Sequence, residues 1–125
     1  MVLYIGGVYQ GKLDCAKKRY LLAGEDVFDC GAEGGVEFGK KCLYRLEEFT
    51  LRCAKNGENA VEIFKSAKEQ WTDSVLICAD IFCGVVPMGA EMRAWREQTG
   101  RLCEYLSENA ESVWRVFCGL EQKLK

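Results

Sequence analysis

The chain has 125 residues and a formal net charge of −2 at pH 7, and 49% of its residues are hydrophobic. This length and apolar content predict a single ordered domain over residues 1–125. The basic residues are scattered, which argues against a nucleic-acid-binding or membrane-binding surface. No apolar run approaches the ~20 residues that span a bilayer, and no signal peptide is recognisable, so we expect a cytoplasmic protein.

The first predicted elements are a short strand, a glycine-rich turn and a helix. Residues Val2 to Ile5 form an apolar run of strand length, and Gly6 to Lys12 form the turn. The segment from Leu13 to about Ala23 has a helical pattern, and Gly24 is a typical residue at the end of a helix.

The middle of the chain is predicted to contain helices between two strands. A short strand at Val27 to Cys30 is followed by a glycine-rich loop. Apolar residues then recur at helical spacing from Phe38 to Cys53 and again from Val61 to Trp71, which predicts two helices. Residues 74–79, SVLICA, are an unbroken apolar run, as expected for a strand that is covered on both faces.

The last third contains a loop, a long helix and a strand. Loop 80–87 holds the only proline, and the helix is predicted from Met88 to Ala110. The last strand begins at Glu111 or Ser112 and a short tail follows it. Strands that alternate with helices predict an α/β fold with a mainly parallel sheet of about four to five strands.

Eight cysteines are present without any histidine, and their spacing is not that of a metal site. No CxxC pair occurs, and the lack of histidine excludes mixed Cys/His zinc sites. A four-cysteine site would require scattered thiolates to converge. Because disulfides are rare in the cytoplasm, we interpret the cysteines as reduced thiols that pack in the core.

Residues 6–13, GGVYQGKL, match the phosphate-binding pattern GxxxxGK between a predicted strand and a predicted helix. In such a loop the glycines let the backbone approach an anion, the amides point at it, and Lys12 contacts the terminal phosphates. Leu13 stands where a serine or threonine usually ligates Mg²⁺, so we expect catalysis to suffer more than binding. A glycine-rich turn with an exposed lysine is the alternative. The candidate nucleotide-binding residues are Gly6, Gly7, Val8, Tyr9, Gln10, Gly11, Lys12 and Leu13.

Motifs at both ends of the chain, most specifically in the carboxy-terminal half, resemble those of a known enzyme family. GGVYQGKL, VFDC, ICADIFCGVVP, TGRL and VFCGLEQKLK stand in the same order as the motifs of one family of cobalamin biosynthesis. That family is adenosylcobinamide kinase/adenosylcobinamide-phosphate guanylyltransferase. The resemblance implies a P-loop NTPase-like (RecA-like) three-layer sandwich, ATP or GTP with Mg²⁺ as cofactors, a corrinoid as a ligand and a homo-oligomeric state.

The resemblance also assigns roles to individual residues. It makes Lys12 a catalytic residue, and it makes Asp29, at the end of VFD, a catalytic carboxylate near magnesium and a candidate metal ligand. At Asp80 the family has glutamate. Solvated carboxylates at strand ends are the alternative for both aspartates. The resemblance assigns the substrate loop to Asp80, Gly84, Val86 and Pro87.

Departures from the family pattern limit the function. The family forms a covalent guanylyl intermediate on a histidine, and this chain has none. Because a phosphoramidate requires an imidazole nitrogen, guanylyltransferase activity by the family mechanism is excluded. Three functions remain open: a degenerate member that binds a nucleotide without turnover, as a regulatory or interaction protein; an active ATP- or GTP-dependent kinase acting on adenosylcobinamide; and a fold remnant without a ligand.

Overall fold

The structure is a computed structural model that describes residues 1–85 and 88–125. Its elements are β1 (Val2–Gly6), α1 (Lys12–Tyr20), β2 (Val27–Asp29), β3 (Cys42–Tyr44), α2 (Leu46–Asn56), α3 (Ala60–Ser66), α4 (Lys68–Trp71), β4 (Val75–Ala79), α5 (Ala90–Asn109), β5 (Ser112–Phe117) and β6 (Leu120–Lys123). None of the helices in these two ranges is long and apolar enough to cross a membrane.

The strands form one sheet in the order β2-β3-β4-β1-β5-β6. All neighbours are parallel except β5 and β6, which are antiparallel. This confirms the predicted P-loop NTPase-like α/β fold with a mainly parallel sheet. The prediction of four to five strands is wrong, because the described residues form a sheet of six strands. The strand that precedes the glycine-rich turn, β1, lies in the interior of the sheet between β4 and β5.

Helices cover both faces of the sheet. Successive side chains of a strand point to opposite faces. On one face, Leu3 and Leu76 pack in a cluster with side chains from α2, α3 and α5. On the other face, Tyr4 and Ile77 pack with Ala16 of α1. Because both faces are covered, every residue of β4 is buried, which explains why its sequence shows no alternation.

The strand β3 was not predicted, because its residues fall in the segment that the spacing from Phe38 assigns to a helix. The helix α2 begins only at Leu46. Cys42 and Leu43 are both fully buried, and they belong to clusters on opposite faces of the sheet. A strand buried on both faces carries no period of two, and the step of four from Phe38 to Cys42 therefore imitated a helix.

The predicted tail contains the other unexpected strand, β6, which forms a hairpin with β5. The two connecting residues, Cys118 and Gly119, have φ angles of 51° and 75°. Positive φ at both positions is the geometry of the two-residue turn that hairpins favour. Cysteine seldom occupies the first of these positions, so the turn was not recognisable from the sequence.

The long helix α5 is within two residues of its predicted bounds at each end, and two further predicted helices differ more. The first ends at Tyr20 instead of Ala23, because Leu21 adopts a left-handed conformation with a φ of 52°. The helix predicted from Val61 to Trp71 is divided at Ala67 into α3 and α4. Neither difference changes the layer to which these segments belong.

Most of the cysteines are buried, as predicted for thiols that pack in the core. All eight are free, and five of them are buried. Burial raises the pKa of the Cys30 and Cys42 thiols to about 12. Such thiols behave as small apolar side chains and do not react readily. Cys83 and Cys118 are exposed, so the prediction holds for most of the cysteines and not for these two.

Glu121 of β6 connects the hairpin to α1 and β1. Its carboxylate accepts hydrogen bonds from Arg19 Nε at 3.1 Å and from Tyr4 Oη at 2.9 Å. The hydrogen bond from Arg19 lowers the pKa of Glu121; burial opposes this, and the bond from Tyr4 lowers the pKa further. Tyr4 is fully buried, so its hydroxyl depends on Glu121 as an acceptor.

We expect Glu121→Ala to lower the free energy of unfolding by about 1–3 kcal/mol, because it leaves the buried Tyr4 hydroxyl without a partner. Urea denaturation measures the change. The additional replacement Tyr4→Phe should recover part of the loss. Because the pKa of Glu121 is lower in the folded state, its contribution is full above the unfolded pKa and disappears as the pH falls through the folded one. An unchanged unfolding midpoint at neutral pH would contradict this assignment.

Candidate functional site

A cavity of about 450 Å³ opens at the carboxyl end of β1. Its lining comes from the glycine-rich loop and the first turn of α1, and from Tyr44, Arg45 and Glu47 where β3 meets α2. The chain leaves β1 toward α1 on one face of the sheet and leaves β4 toward α5 on the other. Ligands of open α/β sheets bind in the crevice that such diverging connections create.

The loop between β1 and α1 contributes Val8, Tyr9 and Gly11 to the lining of this cavity. Tyr9 and Gly11 have φ angles of 61° and 92°, so the chain curls before the helix begins at Lys12. Residues 8 and 9 form a turn, and within the described residues no amide from Gly11 to Leu13 donates a hydrogen bond to another group of the chain. Curled amides ahead of a helix N-terminus form an anion-binding nest.

Neighbouring segments hold the loop in this shape. The Oε1 atom of Gln10 accepts a hydrogen bond from the amide of Cys118 at 2.7 Å, and the carbonyl oxygen of Gln10 accepts one from the amide of Gly119 at 2.8 Å. The carbonyl of Gly6 accepts one from the amide of Asp80 at 3.1 Å. The loop is therefore attached to the β5–β6 turn and to the segment after β4, which reduces the entropy that a ligand must remove to order it.

Lys12 is buried, with only 7% of its surface exposed, so the alternative of an exposed lysine is wrong. Its Nζ donates a hydrogen bond to the carbonyl oxygen of Gly7 at 2.6 Å. Burial lowers the pKa of the ammonium, and the negative charges of Glu47 and Asp80 partly offset that effect. An ammonium has three donors, so Lys12 retains capacity for an anion.

Glu47 was not identified by sequence reasoning, yet it lies in the cavity lining and is only 9% exposed. Its Oε2 accepts a hydrogen bond from the amide of Ala79 at 2.9 Å, and its carbonyl oxygen accepts one from Trp95 Nε1 at 2.8 Å. These contacts fix the first turn of α2 against β4 and α5. A glutamate in a helix is ordinarily solvated, so the sequence contains no signal that singles out Glu47.

Asp29 forms a two-point ion pair with Arg45. The distances are 2.8 Å from Nε to Oδ1 and 2.9 Å from Nη2 to Oδ2, and the amide of Gly31 also donates to Oδ1 at 2.8 Å. Burial opposes ionisation, but the hydrogen bonds from Arg45 and Gly31 outweigh it and lower the pKa of Asp29. Both carboxylate oxygens are thus occupied, and the catalytic and metal-binding roles expected for Asp29 stay predictions.

The described residues do not fit a magnesium site built by the protein. They contain no cluster of three acidic or cysteine side chains that is arranged to hold a metal ion. Leu13 lies at the usual hydroxyl position and provides no oxygen ligand. Asp29, the carboxylate expected near magnesium, is paired with Arg45. Any Mg²⁺ at this site would be coordinated by the phosphates of a bound nucleotide and by water.

The predicted substrate loop is only partly described. Asp80 follows β4 and is half-buried, and its amide bonds to Gly6 at the base of the glycine-rich loop. Gly84 lies on an exposed bend with a φ of 92°. Val86 and Pro87 lie outside the described residues. The structure therefore places Asp80 beside the phosphate-loop candidate and leaves the substrate role of this segment a prediction.

The comparison with known proteins identifies the family. A family model described as cobinamide kinase / cobinamide phosphate guanyltransferase matches residues 39–124. The chain belongs to this family. Membership confirms the resemblance and connects the chain with cobalamin biosynthesis, and both activities in the family's name consume a nucleoside triphosphate. The match begins after the glycine-rich loop and Asp29, so the argument for those residues is geometric. No curated protein matches the chain.

Proposed function

We propose that this family member binds ATP or GTP through its glycine-rich loop and Lys12. The observation that supports the proposal most is the set of amides of Gly11, Lys12 and Leu13, which have no partner within the described residues and lie next to a buried ammonium. Burial of a lysine is unfavourable unless its charge is compensated. In the described part of the chain, its only hydrogen-bond acceptor is a neutral carbonyl. A polyphosphate would satisfy the amides and the ammonium together.

The proposed binding does not require a metal ion held by the protein. The Leu13 side chain has no oxygen, and the described residues contain no cluster of side chains that could hold a cation. The amides and Lys12 carry the interaction, and neither depends on Mg²⁺. We therefore propose a degenerate kinase-like member that binds a nucleotide without the usual protein ligand for Mg²⁺. It cannot transfer a guanylyl group through a histidine, since the chain contains none.

Titration of the full chain with ATP and with GTP, once with Mg²⁺ and once with EDTA, tests this proposal by calorimetry. We expect binding in both buffers, with affinities that differ by less than about fivefold, or roughly 1 kcal/mol. The reason is that the described residues supply no metal ligand that would distinguish the Mg²⁺ complex from the free nucleotide. Absence of heat with either nucleotide at millimolar concentration would refute the proposal.

An active kinase is the second candidate, and Glu47 is the observation that favours it. A buried carboxylate in the lining of the cavity is suited to accept the proton of an acceptor alcohol such as that of a corrinoid. Formation of ADP and a phosphorylated corrinoid from ATP and cobinamide would establish this activity. Nucleotide binding without product would leave the binding protein as the function, acting as a regulator or interaction partner.

A further inference from the structure

We propose that Arg45 is the second phosphate-binding cation of the site. Its guanidinium donates to the terminal phosphate of a nucleoside triphosphate whose inner phosphates lie in the glycine-rich loop. This inference rests on the proposed nucleotide binding and adds a residue that lies outside the loop. Arg45 belongs to the same cavity lining as Lys12, although 33 positions separate them along the chain.

The hydrogen bonds of Arg45 leave one edge of its guanidinium available. Asp29 accepts one hydrogen from Nε and one from Nη2, which is the side edge of the group. A guanidinium carries five N–H donors in a fixed plane. The remaining hydrogens of Nη1 and Nη2 point along the other edge, which has the spacing for two oxygens of one phosphate. In the described residues, Nη1 of Arg45 has no hydrogen-bond partner.

The backbone around Arg45 is shaped to hold the guanidinium in place. Arg45 precedes α2 with a φ of 57° and a ψ of 54°, a left-handed conformation that costs free energy for any residue except glycine. A Cβ built on Gly31 would lie 2.1 Å from Nη2 of Arg45, so the guanidinium packs directly against the glycine backbone after β2. The ion pair with Asp29 completes the support, and such strain and support recur at ligand sites.

The charges that line the cavity explain why a second cation would be needed to bind a terminal phosphate. Lys12 and Arg45 contribute positive charge, and Glu47 and Asp14 contribute negative charge to the same lining. A terminal phosphate carries about two negative charges and in other kinases is neutralised partly by Mg²⁺. Since the Leu13 side chain provides no metal ligand, Arg45 is the group in the described cavity lining that can bind a dianion through paired hydrogen bonds.

The test compares Arg45→Gly and Arg45→Lys with the unaltered chain. Glycine readily adopts the left-handed conformation and removes the guanidinium. Lysine keeps the positive charge but lacks the paired N–H donors that bind two oxygens of one phosphate. Arg101→Ala, which removes an exposed positive charge on α5, is the matched control. Affinities for ATP and ADP are measured by calorimetry in EDTA, and the same titrations are made with GTP and GDP.

We expect Arg45→Gly to weaken ATP binding by about 10- to 100-fold and ADP binding by less than about threefold, because ADP lacks the phosphate that the arginine meets. Arg45→Lys should lose most of the same affinity, and Arg101→Ala should lose none. If Arg45→Gly does not fold, the ATP and ADP affinities of Arg45→Lys decide whether the assignment of Arg45 holds.

Equal losses for ATP and ADP, or no loss for either, would overturn the assignment of Arg45. If Lys12→Ala abolishes binding while both Arg45 variants retain it, the nucleotide proposal stands and this one falls. If the unaltered chain binds neither ATP nor GTP, both proposals fall.

Discussion

Replacing Lys12 with alanine is expected to weaken ATP and GTP binding on the order of 100-fold, because the variant loses a charge-assisted hydrogen bond to the phosphates. The free energy of unfolding should not decrease. Burial lowers the pKa of Lys12, so the folded state holds this charge at a cost. A variant that binds poorly and unfolds no more easily would separate a binding role from a structural one. Calorimetry and thermal unfolding measure the two quantities.

The matched control for this variant is Lys18→Ala, an equal charge change at an exposed position of the same helix. It should leave the affinity close to that of the unaltered chain. The pH dependence adds a second check. Nucleotide binds the protonated ammonium, so the affinity is full below the pKa of Lys12 in the free protein and falls as the pH rises through it. This decline should begin below the usual range of lysine, and it should be absent in Lys12→Ala. Equal affinities of Lys12→Ala and the unaltered chain would rule out the loop as the phosphate site.

Much of the fold was predictable because its strongest signals are local. The apolar run of β4, the turn glycines after β1 and the long helical period of α5 each lie within one segment of sequence. The strand β3 was not predictable in this way, since its burial on both faces is decided by α1 on one side and by α2 on the other. The turn at Cys118 was missed for a different reason, because the hairpin contacts stabilise a left-handed cysteine that local preference disfavours.

The candidate site likewise contains residues that local sequence identifies and residues that only the tertiary fold brings together. Its loop is contiguous, so the pattern GxxxxGK found it together with Lys12. The β3–α2 junction is brought to the loop only by the sheet order, and Glu47 and Arg45 therefore had no signal of their own. Asp29 was assigned through the resemblance to the family, and the structure pairs it with Arg45, a contact that the sequence does not reveal. The family match covers the junction and not the loop, so neither source alone describes the whole cavity.

Replacing Leu13 with serine should create the magnesium dependence that the unaltered chain is expected to lack. The hydroxyl would stand in the first turn of α1, where phosphate-binding loops provide their metal ligand. We expect Mg²⁺ to increase the ATP affinity of Leu13→Ser by about tenfold or more over its value in EDTA, a gain of roughly 1.4 kcal/mol. Calorimetric titrations of the variant in the two buffers measure this ratio.

Leu13→Ala is the control, because Leu13 packs partly buried against the α1 face of the sheet and either variant loses that contact. Both variants should unfold more easily by a similar amount, and only serine should respond to Mg²⁺. If alanine and serine give the same ratio, the missing oxygen is not what separates this loop from a metal-dependent one. A response restricted to serine would mean that the nest still holds a triphosphate in the geometry that a metal needs, so that the loss of the hydroxyl, and not a change in the loop, limits magnesium binding.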